Sequence, residues 1–105
     1  MNVLVIRFKL TGITANDYLA MTETVAPAVA QAPGLVQKAW LANEETGVYG
    51  GAYLFTDRES IEAYLGSEIG QGIRNSGLFE DLSIEVFDTI EPATSITFPC
   101  ELAIA

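Results

Sequence analysis

Apolar residues recur along this chain at two distinct periods, and the switches between them mark six elements. "NVLVIRFK", Asn2 to Lys9, alternates Leu4, Ile6 and Phe8 with Val3, Val5, Arg7 and Lys9, the period of two expected of a β-strand. Both faces begin apolar, so both should be covered. Thr14 then opens a helix, its hydroxyl placed to cap the first turn while Asp17 complements the helix N-terminus. Tyr18, Met21, Val25 and Val29 form an apolar stripe at helical spacing, and "APG", Ala32 to Gly34, ends it. Pro27 removes a backbone hydrogen bond inside this pattern and predicts a bend or break near Thr24 or Val25.

Period two returns in "LVQKAWLAN", Leu35 to Asn43, and in "VYGGAYLF", Val48 to Phe55; the turn-forming "EETG" between them predicts an antiparallel hairpin. "TDRE", with Thr56 and Glu59 at capping-box spacing, opens a second helix carrying Ile61, Tyr64 and Leu65. Gly66, Gly70, Gly72 and Gly77 leave Ser67 to Ser76 as a broken helical segment at best. A last strand runs from Leu82 to Ile90, and residues 91–105 are expected to form an irregular tail.

The order β-α-β-β-α-β predicts a ferredoxin-like α+β fold, a four-stranded antiparallel sheet with both helices on one face. Helices cover only that face, so the apolar residues on the other predict a second subunit and a dimeric α+β barrel. The third strand is central in such a sheet, yet it holds the adjacent Gly50 and Gly51. One should open room for a ligand on the helix side, and the other should let a partner's sheet approach.

Composition adds limits. The 105 residues predict one domain, 1–105, hiding roughly two-thirds of its unfolded surface. A 50% hydrophobic content and a mean hydropathy of +0.29 are high for that size, which again favours a homodimer interface. With 14 acidic against 5 basic residues and a net charge of −9, neither nucleic acid nor a membrane surface is an expected partner. No apolar run approaches the ~20 residues of a membrane span, and "MNVLVIRFKL" has neither a basic leader region nor a small-residue cleavage site. A cytoplasmic location is expected. Cys100 has no cysteine to pair with and reads as a small apolar residue of the tail. The sequence has no histidine and no cysteine cluster for zinc or iron, and "GSEIGQG" lacks the Lys-Ser/Thr of a phosphate loop. No metal and no cofactor are expected.

The stretch from Pro33 to Leu65 resembles the central segment of the YdhR mono-oxygenase family, within the dimeric α/β-barrel superfamily. The matching features are "PGL", Lys38 and Trp40 as "K.W", "GG.YLFTD" from Gly50 to Asp57, and "AYL" from Ala63 to Leu65. "VFD..EP", Val86 to Pro92, adds a second stretch. The resemblance implies the fold, the dimer and a cofactor-independent reaction of a small phenolic, quinol or polycyclic aromatic substrate with molecular oxygen. In that chemistry the deprotonated substrate itself passes an electron to oxygen, and the protein holds it dry and stabilises its anion. Relatives that bind haem or cyclise polyketides through a histidine are poor guides for a chain without one. The alternative is a non-catalytic ligand-binding or stress-response dimer of the same fold.

The candidate catalytic residues are Trp40, Tyr53 and Arg74. Trp40 can stack on a planar ring, against the plainer reading of a core or interface aromatic. The Tyr53 and Tyr49 hydroxyls, sharing a face with Gly51 and Phe55, can bind or deprotonate a phenol, or simply pack. Arg74, in the loose segment, can swing toward an anion or stay solvated. Lys38, Asn43, Tyr49, Gly51 and Tyr64 are the expected substrate-binding residues. Lys38 shares a face with Trp40 by period two, though snorkelling to solvent is its default. Asn43 precedes a turn, where asparagine is common for backbone reasons, and three residues from Trp40 it should point to the opposite face.

Overall fold

A computed structural model of the chain describes residues 1–98. Its elements are β1 (Asn2–Leu10), α1 (Ala15–Ala30), β2 (Leu35–Asn43), β3 (Val48–Phe55), α2 (Arg58–Gly66), α3 (Glu68–Asn75), β4 (Phe79–Asp88) and α4 (Glu91–Thr97). All strand pairings are antiparallel and the order is β2-β3-β1-β4, so the glycine-bearing β3 is central. This is the ferredoxin-like α+β arrangement.

Leu4, Ile6 and Phe8 pair with Tyr53, Gly51 and Tyr49, so these six residues share one face of the sheet. Leu4, Ile6, Phe8, Tyr53 and Phe55 form the core there with Tyr18 and Val29 of α1 and Ile61 and Tyr64 of α2. The opposite face carries Val3, Val5, Ala52 and Leu54, flanked by the exposed Leu41 and Phe87, with Arg7 and Glu85 paired among them.

Thr14 caps α1 through a full capping box with Asp17. Pro27 does not divide α1, which runs unbroken to Ala30. The carbonyl freed by its missing N–H belongs to Glu23; both residues are exposed, and water can satisfy it. The start of α2 also differs from expectation. Asp57, rather than Thr56, is the cap, its Oδ1 accepting the Ser60 N–H at 2.7 Å while the Thr56 hydroxyl donates to Oδ2. The predicted break falls at Ser67, which ends α2 and caps α3 by accepting the Gly70 N–H. Residues 91–97, expected to be irregular, form α4, because Pro92 stands in its first turn where a missing N–H costs nothing. Cys100 lies outside the described residues.

Each edge strand carries a bulge. In β2 the register slips between Leu35, opposite Phe55, and Gln37, opposite Leu54. The extra residue brings Leu35, Lys38 and Trp40 to the same helix-facing side, which strict alternation forbids. In β4 the slip lies between Ser83, opposite Arg7, and Glu80, opposite Lys9, and Asp81 takes a φ of 53°. The strand therefore begins three residues before the predicted Leu82, at Phe79, which turns inward beside Leu82, Ile84 and Val86.

The two glycines have separate causes. A Cβ on Gly50 would overlap the Ile6 carbonyl oxygen, so Gly50 permits the close β3–β1 pairing within the chain. A Cβ on Gly51 would lie 2.7 Å from Lys38 Cε and 2.9 Å from Tyr53 Cε1. The space it leaves is filled by this chain's own lysine.

Candidate active site

Between the sheet and the helices lies a cavity of about 250 Å³. Phe8, Lys38, Trp40, Tyr53 and the Gly50 backbone form its floor. Tyr18, Met21, Val25 and Val29, the predicted stripe of α1, form one wall. Tyr64 of α2 and Ile69 and Ile73 of α3 form the roof, and Phe79 closes one end, its ring 4.3 Å from that of Phe8. The lining is apolar apart from a few hydroxyls and one amine. Among the described residues no carboxylate lines the cavity and no second cation does.

The amine is that of Lys38. Its Nζ stands 3.2 Å from the centre of the Trp40 ring and 4.4 Å from that of Tyr53, where ring faces attract a cation. No carboxylate among the described residues pairs with it. Burial disfavours the charged form and pulls its pKa from 10.5 down to about 7. Near neutral pH the group is therefore poised between amine and ammonium.

The hydroxyls behave in the opposite sense. Tyr53 and Tyr64 share a buried hydrogen bond of 3.2 Å. Burial, and then the neighbouring Tyr64, hold the Tyr53 hydroxyl far above the ordinary tyrosine range, so it stays protonated and can donate but not act as a base. Burial also raises Tyr64, partly offset by its hydrogen bond with Tyr53. Burial, with Tyr49 and Tyr64 nearby, pushes Tyr18 up to about 12.

Of the sequence-predicted residues, Lys38, Trp40, Tyr53 and Tyr64 meet at this cavity. Gly51 lies beneath the Lys38 stem. Tyr49 is buried behind the wall, its ring 5.2 Å from Tyr18, and does not line the cavity. Asn43 ends β2 at the hairpin turn, where its Oδ1 accepts the Thr46 N–H at 3.2 Å. Arg74 ties α3 to α2 by donating to the Leu65 carbonyl at 2.5 Å, on the surface. Phe8, Tyr18 and Phe79 line the cavity without standing out as site residues in the sequence. Tyr18 was visible as the first member of the α1 stripe, whereas Phe79 depends on a bulge that no periodicity announces.

Lys38, Trp40 and Val29 also line a second cavity of about 280 Å³ between the end of α1 and β2. Lys38 and Trp40, the latter 38% exposed, thus border both spaces. Among the described residues, no helix is long and apolar enough to cross a membrane.

Fold and cavity together define an α+β protein of the ferredoxin-like kind with an apolar pocket between sheet and helices. The chain belongs to the family described as "Putative mono-oxygenase ydhR", whose sequence profile matches residues 3–99. Among curated proteins, none matches it in sequence. Solved structures share the fold. A "putative antibiotic biosynthesis monooxygenase" from Deinococcus radiodurans matches with a TM-score of 0.72 and 16% identity over 87% of this chain and 94% of that one. A variant of SnoaB, a cofactor-independent oxygenase from Streptomyces nogalater, matches at 0.67 with 17% identity over 86% and 93%. A MhuD variant with two manganese protoporphyrin IX molecules bound per active site matches at 0.66 with 14% identity over 86% and 95%.

Proposed function

We propose that the cavity binds a small phenolic, quinol or polycyclic aromatic substrate and that the protein, as a homodimer, oxygenates it with molecular oxygen without a cofactor. The observation that carries this reading is a single titratable amine, Lys38, in an otherwise apolar cavity with aromatic walls. Near neutral pH Lys38 takes the phenolic proton. The resulting ammonium then faces the phenolate against apolar walls that strengthen the pair, and ring contacts hold the substrate plane. Tyr53 and Tyr64 remain donors to a substrate oxygen. The electron-rich anion reduces oxygen; one oxygen atom enters the substrate and the other leaves as water, with the substrate supplying the electrons.

The family description and the cofactor-independent oxygenase among the structural relatives support the reaction class. Leu41 and Phe87, 36% and 48% exposed on the helix-free face, support sheet-to-sheet pairing of two chains.

The test is oxygen uptake by purified protein over a panel of quinols, anthrones and flavonoids. At least one compound should be consumed faster than in free solution, and Lys38→Met should lower that rate by roughly 100-fold, the scale of one general base. Uptake no faster than the free compounds, while some still change Trp40 fluorescence, would establish a non-catalytic binding module instead. Light scattering tests the dimer, which Phe87→Asp should dissociate.

A further inference from the structure

The placement of Lys38 also suits a chemistry that needs no oxygen. The chain has only two lysines, and they are in opposite situations. Lys9 is exposed, whereas Lys38 lies along Gly51 with its amine between the faces of Trp40 and Tyr53. An amine without a carboxylate partner among the described residues, at the boundary of two cavities and beside aromatic walls, is a nucleophile held where a flat apolar ligand must rest.

We infer that Lys38 is an imine-forming lysine that captures aromatic aldehydes in the cavity. The amine nitrogen adds to the aldehyde carbon to give a carbinolamine. Both hydrogens of the neutral amine leave with the carbonyl oxygen as water, and a C=N bond replaces C=O; no electrons are gained or lost. The hydroxyls of Tyr53 and Tyr64, which line the same cavity and stay protonated, can lend the proton that the departing oxygen needs. The aldehyde ring then lies against Phe8, Tyr18 and Phe79.

Lowered basicity makes the reaction feasible near neutrality. With its pKa drawn down to about 7 by burial, a large share of Lys38 is neutral under conditions where an ordinary lysine is almost wholly protonated. The titratable groups facing it across the cavity are Tyr18, Tyr53 and Tyr64.

The test is incubation of the full chain with benzaldehyde and cyanoborohydride near neutral pH, followed by intact-protein mass spectrometry and peptide mapping. The reduced benzyl adduct should form on Lys38 at least about tenfold faster than on the exposed Lys9, because the cavity holds the aldehyde ring beside its amine. Lys38→Met, which keeps a flexible side chain over Gly51 but removes the nucleophile, should abolish the fast adduct, and benzyl alcohol should slow it by occupying the cavity. Equal labelling of Lys9 and Lys38 would overturn the assignment. So would absence of the adduct while benzyl alcohol still changes Trp40 fluorescence, a result that leaves the cavity as a ring-binding site and says nothing against the oxygenase reading.

Discussion

Adding one methyl group at Gly51 should move a proton equilibrium. In Gly51→Ala the new Cβ falls 2.7 Å from Lys38 Cε and 2.9 Å from Tyr53 Cε1, against roughly 3.5–4.0 Å for an ordinary carbon contact. One neighbour must yield by about 1 Å. The Tyr53 ring is 2% exposed, stacked on Phe55 and hydrogen-bonded to Tyr64, whereas Lys38 ends in a flexible stem. The lysine should give way and carry its amine toward water past Trp40. The loss of its ring contacts costs ~1–2 kcal/mol and the added methyl a comparable amount. Against this, the burial penalty on the ammonium, about 5 kcal/mol for a fall from 10.5 to about 7, is largely relieved. Stability should therefore change little while the titration changes a great deal. The assay is a pH titration of the fluorescence of Trp40, the sole tryptophan. The parent protein should show a transition near pH 7 that Lys38→Met removes; in Gly51→Ala it should move up by ~2–3 units. A midpoint that stays near neutrality in a folded Gly51→Ala protein would refute the packing of Lys38 along Gly51.

Stability itself should depend on pH with a sign set by the same residues. Lys38 binds fewer protons folded than unfolded between about 7 and 10.5, so denaturant melts should show stability rising by up to ~3 kcal/mol from about pH 6 to about pH 9. Tyr18, Tyr53 and Tyr64 have raised values, so their contribution is whole below pH ~10 and is lost as pH climbs through those values; the melts should turn downward there. Tyr64→Phe leaves the buried Tyr53 hydroxyl without its partner and should cost ~1–3 kcal/mol in urea unfolding. Asp57→Ala removes the α2 cap and should lower the urea midpoint more than Thr56→Ala does. Asp81→Val, which forces a β-branched residue to a φ of 53°, should lower the melting temperature, whereas Asp81→Gly should not.

The strand order and the α1 stripe were legible because sheet and helix periods are long-range signals repeated over many residues. Lys38 and Trp40 were legible as a pair for the same reason. What escaped was local. Phe79 joins the cavity only because Asp81 adopts a left-handed conformation, and Leu35 shares a face with Lys38 only because one residue of β2 is left over. Neither event disturbs the composition of its segment. Asn43 and Arg74 looked available for chemistry, yet each is held by the backbone, at Thr46 and at Leu65. A polar side chain's nearest backbone partner is invisible until the chain is folded. The glycine pair announces missing side-chain volume but not what fills it, which is the neighbouring strand at Gly50 and Lys38 at Gly51.

The bulges in β2 and β4 have an effect beyond the cavity. These strands are the two borders of the sheet, where a regular row of unsatisfied amide and carbonyl groups would invite another chain to add a strand. A bulge twists each border and interrupts its hydrogen-bonding rhythm, so an incoming strand loses register after a few residues. The deformation that turns Lys38 and Phe79 inward thus also works against fibril-like growth in a chain that is half hydrophobic.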